Sequence, residues 1–323
     1  MRAAVLTGPG SIEIVDVPVP EPGPGEVRVR LEGCGVCASN LGPWAGPEWM
    51  EFPTRPGDLG HEGWGVVDKV GPGVGPGAGA IRPGMRVAAL SGASFAEYDL
   101  AREDDLLPLP PALADRPVPG EPLGCAMNIF RRSDVQEGMT VAIIGIGFLG
   151  ALLTGLCRNA GARVIAISRR DFSLDLARRY GAEQAISLAE GRQAIGEAVD
   201  ESTGGAGCER VIEAVGRQDT LDLSGDLVAE GGKLIVAGYH QHGPRQVNMQ
   251  MWNWKGIDVI SAHERDAGVQ RRGVREAIAA MESGLIDPGP LLTHRYPLER
   301  LGAALDDARD RPDGFVKGLV IFG

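Results

Sequence analysis

Three things are scarce in this chain: cysteine, basic clusters and long apolar runs. Its five cysteines (Cys34, Cys37, Cys125, Cys157, Cys208) are odd in number and widely scattered. A disulfide framework is therefore not expected, and the thiols are left for metal binding or packing. No apolar run approaches the ~18–20 residues that span a bilayer. Met1 leads straight into an amphipathic stretch (Ala3, Val5, Ile12, Ile14), without the basic and apolar blocks of a signal peptide. A reducing cytoplasm is the expected compartment. No basic block interrupts a chain with 32 Lys and Arg against 43 Asp and Glu, net −11. Nucleic-acid and anionic-membrane partners are thus not expected.

Glycine and proline, by contrast, abound: 48 and 23 of 323 residues, nearly double the usual combined share of ~12%. Disorder does not explain them, because 43% of the residues are hydrophobic. The chain reads as a turn-rich globular protein, and its length suits about two domains.

Its character changes near residue 120. Before that point short strands alternate with Gly and Pro. In one of them Val27, Val29 and Leu31 alternate with Glu26, Arg28, Arg30 and Glu32, the period of a half-buried strand. The Gly/Pro-dense stretch Gly71–Ala80 reads as a loop joining strands of one domain. From about 121 the pattern becomes strand–helix–strand. Thr140–Ile144 reads as a continuous apolar strand and Arg163–Ile167 as a second buried one, and Leu149, Leu152, Leu153 and Leu156 recur at helical spacing between them. Such alternation predicts a parallel sheet covered on both faces. The last strand, Phe315–Phe322, resembles those of the first region, so the C-terminus is expected to complete the N-terminal domain.

Gly145-Ile146-Gly147-Phe148-Leu149-Gly150 matches G-x-G-x-x-G, and here it follows a buried strand and opens an amphipathic helix. Gly145 would permit the tight turn, Gly147 the approach of a pyrophosphate, and Gly150 close helix–strand packing. The helix N-terminus would face the phosphates. At the end of the second strand an NAD site usually carries an acid for the ribose 2′-hydroxyl. This chain has Ser168-Arg169-Arg170, with Asp171 only after them. A hydroxyl and guanidinium groups suit a 2′-phosphate, so NADP(H) is expected in preference to NAD(H).

Residues 33–40 read Gly-Cys-Gly-Val-Cys-Ala-Ser-Asn and 60–62 Gly-His-Glu. Cys37 and His61 are of the types that ligate zinc, and a catalytic zinc takes three protein ligands and keeps one open position. Ser39 lies two residues beyond Cys37, where it could pass a proton.

These segments, with "GHEGWGVVDKVGPGV", "FAEYDLAREDDLLPLP", "EPLGCAMN" and "THRYPLERLGAALD", occur in an order that resembles the zinc-dependent medium-chain alcohol dehydrogenases. The resemblance covers nearly the whole chain. It implies an α/β protein with a GroES-like β-rich catalytic domain (1–120 and 262–323) and an inserted Rossmann domain (121–261). It also implies one catalytic zinc on Cys37 and His61. For the third ligand it points to Glu121, with Cys125 one turn later as the rival. Glu62 resembles a carboxylate that ligates the metal or exchanges with water. Lys317 resembles a basic residue that contacts cofactor phosphate, though a solvent-facing strand lysine is an equal reading. Cys34 resembles a non-ligand cysteine.

There are departures from the pattern. Asn40 replaces an acid, Gly42 stands where a relay histidine is common, and the four-cysteine lobe for a structural zinc is absent. The implied activity is NADP(H)-preferring hydride transfer between nicotinamide and a secondary alcohol or ketone, with a polyol, sugar or cyclitol favoured. The alternatives are a zinc-free quinone or enoyl reductase and a non-catalytic NADP(H)-binding protein. Relatives of this kind associate through Rossmann domains, so a homodimer or homotetramer is expected. Trp44, Trp49 and Trp64 either wall a substrate pocket or pack in the core. His240, His242 and His263 read as surface or loop residues.

Overall fold

The computed structural model describes residues 1–75, 81–241 and 243–323. Part of the Gly71–Ala80 loop (76–80) and His242 thus lie outside the described residues. The chain divides into two compact units, Met1–Gly124 with Gln270–Gly323, and Cys125–Val269.

The first unit is built on a seven-stranded sheet. Its spine is strand Glu26–Gly35, whose Val27, Val29 and Leu31 are buried while Arg30 faces out. Gly63–Val70 and Tyr98–Arg102 pair antiparallel with this strand. Near the chain's end, Gly318–Ile321 also pairs with it, setting Leu319 opposite Gly35 and Val320 opposite Cys34. The C-terminus therefore completes the N-terminal sheet, but this last strand is shorter than Phe315–Phe322. A core of Leu6, Cys34, Val36, Trp44, Phe95, Leu301 and Leu305 packs beside it. Trp44 and Trp64 are both buried, and Trp44 donates from Nε1 to Asp306 (3.0 Å). Trp49 alone of these three is open to solvent, at 75% exposure. Packing is the role of the first two.

The second unit is a six-stranded sheet, parallel throughout. In space its strands run Gln184–Ser187, Arg163–Ser168, Thr140–Ile144, Cys208–Glu213, Val228–Val236, Asp258–Ser261. Numbered along the chain, that order is 3-2-1-4-5-6, the doubly wound arrangement whose ligand crevice lies where the order reverses. The reversal falls at Thr140–Ile144, every residue of which is buried. Helices Phe148–Asn159, Asp171–Arg179, Arg192–Thr203 and Gln218–Leu227 connect the strands. Among the described residues no helix is long and apolar enough to cross a membrane.

Candidate active site

The glycine-rich turn sits at the carboxyl end of Thr140–Ile144, and its three glycines differ in surroundings. Gly145 has φ +98°, and a Cβ there would lie 2.4 Å from Val215 Cγ2. A Cβ on Gly150 would lie 2.0 Å from the Gly145 carbonyl oxygen, so helix and turn touch at that point. At Gly147 a Cβ would meet nothing within 4 Å. That open face at the start of helix Phe148–Asn159 is a cradle into which a phosphate can come against backbone N–H groups. Phe148 is buried and opens the helix, with Leu149 next to it. Ser168 is buried at the end of the second strand, Arg169 is exposed, and Arg170 occupies the cap of the following helix.

In the first unit the chain turns sharply after strand Glu26–Gly35. Cys37 caps the short helical turn Ala38–Asn40, its Sγ accepting from the Ser39 N–H (3.5 Å). The side chain of Asn40 is buried and fully used. Its Oδ1 accepts from the Cys37 N–H (3.0 Å) and its Nδ2 donates to the Leu59 carbonyl (2.9 Å). An aspartate could do the first but not the second, which is a physical reason for Asn40 where an acid was expected. The same Leu59 carbonyl accepts from His61 Nδ1 (2.8 Å). Leu59 itself has φ +75°, a region unfavourable for a branched side chain. The bond to Nδ1 orients the ring and leaves Nε2 for a metal.

Cys37, His61 and Glu62 come together, with one potential ligand atom from each lying within 4.8 Å of the others. Glu62 is completely buried. Lys317, buried just ahead of the last strand, places Nζ 2.7 Å from both of its carboxylate oxygens. It donates a hydrogen bond to Oε1 and a weaker one to the Val36 carbonyl (3.3 Å), while Oε2 accepts no hydrogen bond. A buried carboxylate oxygen with a lone pair unused beside a thiol and an imidazole is a donor set that fits zinc. Gly35 makes room for it, since a Cβ there would lie 1.8 Å from Glu62 Oε2. Burial opposes a charge on His61. The hydrogen bond and charge of Cys37, with the carboxylates of Glu62 and Glu121 behind them, outweigh it and push His61 up to about 10. Burial likewise opposes the charge on Lys317, but Glu62 above all holds its pKa raised.

Glu121 lies in the first turn of helix Gly120–Ser133, inside the helix rather than just before it. It is not part of the three-residue cluster, though its charge reaches both His61 and Lys317. Cys125, one turn later, is half-buried and belongs to the second unit. Cys34 is buried in the core, its thiol donating to the Gly35 carbonyl (3.4 Å).

One expectation needs correction. Lys317 is not a solvent-facing strand lysine, because its ammonium is buried on Glu62 and precedes the strand. His240 lies in a loop, as expected, but its imidazole is turned inward. Its side chain is 15% exposed and Nε2 lies 3.0 Å from the buried Glu213. Glu213 itself was missed by sequence reasoning, since one acid at a strand end carries no signal until its partners are placed. His263 is exposed, at 6.0 Å ring distance from Tyr239.

Comparison with known proteins agrees with this architecture. The family profile "Alcohol dehydrogenase GroES-like domain" matches residues 23–111, and "Zinc-binding dehydrogenase" matches residues 149–283. An alcohol dehydrogenase of Cupriavidus necator is 28% identical, over 98% of this chain and 97% of its own length. The sorbitol dehydrogenase of Rattus norvegicus is 27% identical, over 94% of this chain and 92% of its own. A protein assigned to the zinc-binding dehydrogenases, from Sinorhizobium meliloti 1021 and solved bound to NADP, superposes with a TM-score of 0.84. It is 27% identical and covers 99% of both chains. The chain belongs to the zinc-dependent medium-chain dehydrogenase/reductase family. It is an oxidoreductase acting on CH–OH groups.

Proposed function

We propose that the chain is a zinc-dependent, NADP(H)-preferring dehydrogenase of secondary alcohols, with polyols or sugar alcohols as the favoured substrate class and ketones reduced in reverse. The observation that carries this reading is the cluster of Cys37 and His61 with the buried Glu62, one of whose carboxylate oxygens accepts no hydrogen bond. Cys37 and His61 hold the metal, Glu62 is the ligand beside them, and Glu121 is a further acid within electrostatic reach. When bound there, zinc would supply Lewis acidity for a substrate oxygen and a nicotinamide would supply the hydride donor or acceptor.

The chain's own residues do the rest. His61 is held in one orientation by Leu59, and Asn40 ties the Cys37 turn to that same carbonyl. Lys317 sets its ammonium against the Glu62 carboxylate inside the fold. Ser39, half-buried beside Cys37, holds and passes the hydroxyl proton at its Oγ. With Gly42 in place of a histidine, that proton goes next to a ribose hydroxyl or water.

The Ser168-Arg169-Arg170 sequence at the second strand's end supports NADP(H), as does the NADP-bound relative. Zinc content of the purified protein, with turnover of a polyol panel using NADP⁺ and NAD⁺ side by side, tests the reading. Metal-free protein that turns over at full rate would sink the zinc assignment, and a wide NAD⁺ advantage the NADP assignment. We propose further that copies associate as a homodimer or homotetramer. Among the described residues the outer strand Asp258–Ser261 pairs on one side only, and Trp254, four residues before it, is 84% exposed. Light scattering on Trp254→Glu against the parent protein tests this, and an unchanged mass would count against that face.

A further inference from the structure

In the second unit Glu213 ends the fourth strand, and its buried carboxylate gathers an unusual number of donors. Oε1 accepts from the N–H of Val215 (2.9 Å), the N–H of Gly216 (2.8 Å) and the hydroxyl of Thr220 (2.8 Å). Oε2 lies 3.0 Å from His240 Nε2. On the far side of that ring, Arg245 Nε donates to Nδ1 (3.0 Å). A guanidinium can only donate, so Nδ1 is the acceptor and Nε2 carries the proton that is given to Glu213. Arg245 also donates from Nη2 to the Gly216 carbonyl (3.1 Å). The three side chains therefore close a ring through the backbone of the 214–216 loop.

That ring joins two loops with no space between them. A Cβ on Gly238 would lie 2.3 Å from Gly216 N, and one on Gly216 2.7 Å from the Tyr239 carbonyl oxygen. The first loop also abuts Gly145, where a Cβ would strike Val215. Both loops leave the carboxyl ends of strands four and five, and each exposes an apolar side chain, Val215 and Tyr239. In a 3-2-1-4-5-6 sheet the first three strands serve one mononucleotide and the last three the other. The glycine turn and Ser168 belong to the first half, so these loops belong to the second.

We propose that Glu213, His240 and Arg245 form a positioning relay that fixes the loops receiving the nicotinamide half of the cofactor. The relay sets affinity for that half without touching the adenosine half. This rests on the dinucleotide reading given under Proposed function. Binding of NADPH and of adenosine 2′,5′-bisphosphate, which carries only the adenosine half, tests it on the intact protein. His240→Leu should weaken NADPH about ten-fold, the loss of one hydrogen-bonded link to a charged group, and leave the bisphosphate unchanged. His240→Gln can accept from Arg245 and donate to Glu213, so it should restore most of the affinity. Arg245→Met opens the same ring from its outer end and should reproduce the pattern if His240→Leu fails to fold. The proposal is overturned if NADPH binding is unaffected, if both ligands weaken together, or if Gln behaves like Leu. Failure of the parent protein to bind either ligand overturns the dinucleotide reading instead.

Discussion

The metal cluster and the glycine turn sit in different units and are built by opposite means. Gly145–Gly150 is one short run of chain, and what matters in it is the absence of side chains: two glycines permit contact and one leaves a surface open. The metal cluster is made of side chains from separate segments, and its Glu62 and the counter-ion Lys317 are separated by 255 residues. The charges of Glu62 and Lys317 are buried, so each depends on the other. The turn is backbone geometry next to a helix N-terminus and needs no ionised side chain. One site is therefore sensitive to loss of charge, the other to gain of volume.

The difference predicts how each breaks. Cys37→Ala should remove zinc and lower kcat/KM by roughly a thousand-fold or more, while NADPH binding measured by fluorescence is unchanged. Retained zinc by metal analysis would refute the ligand assignment. Lys317→Met leaves Glu62 buried without its cation, and breaking such a pair costs about 3–5 kcal/mol in denaturant unfolding of the metal-free protein. The double change Lys317→Met with Glu62→Gln should recover much of that loss. If it recovers nothing, the pair is not the source. In the other unit, Gly147→Val should leave the unfolding midpoint alone, since nothing lies within 4 Å. It should nonetheless weaken NADPH binding by about a hundred-fold through blocked approach of the phosphate. Gly150→Val should lower stability instead, by about 1–3 kcal/mol, and equal behaviour of the two would erase the distinction.

Smaller effects sharpen the same contrast. Arg169→Ala with Arg170→Ala should raise the KM for NADPH about ten-fold and leave that for NADH unchanged. A common rise in both would place these residues elsewhere. His61, pushed up to about 10, must give up its proton to bind metal. Zinc affinity measured against a competing chelator should therefore climb about ten-fold per pH unit for each proton released. The sign for the metal-free fold is opposite. The raised value stabilises it fully below the ordinary imidazole value of 6.5, and this is lost as pH rises through about 10.

Much of the architecture could be read from pattern. Thr140–Ile144 is buried throughout because both faces of its sheet are covered, and Val27, Val29 and Leu31 alternate because one face of theirs is not. Elements with sparse patterns escaped. Helix Arg192–Thr203 buries only Ile195 and Val199, and the edge strands Gln184–Ser187 and Asp258–Ser261 have four residues each, the latter largely exposed. Short edge segments draw their regularity from a neighbour's hydrogen bonds rather than from their own composition.

The sequence by itself determined the doubly wound unit, the glycine turn with its open middle position, and the basic strand end after Ser168. These are local patterns, in which periodicity or residue type within a few positions carries the physics. Only the tertiary structure decided that Glu62 rather than Glu121 joins Cys37 and His61 in one cluster, and that Lys317 is its buried counter-ion. It also decided that Trp44 and Trp64 are core, and that His240 closes a ring with Glu213 and Arg245. Each depends on residues brought together from different strands and loops. The energy of a buried charge is set by the atoms around it, and no spacing along the chain records them.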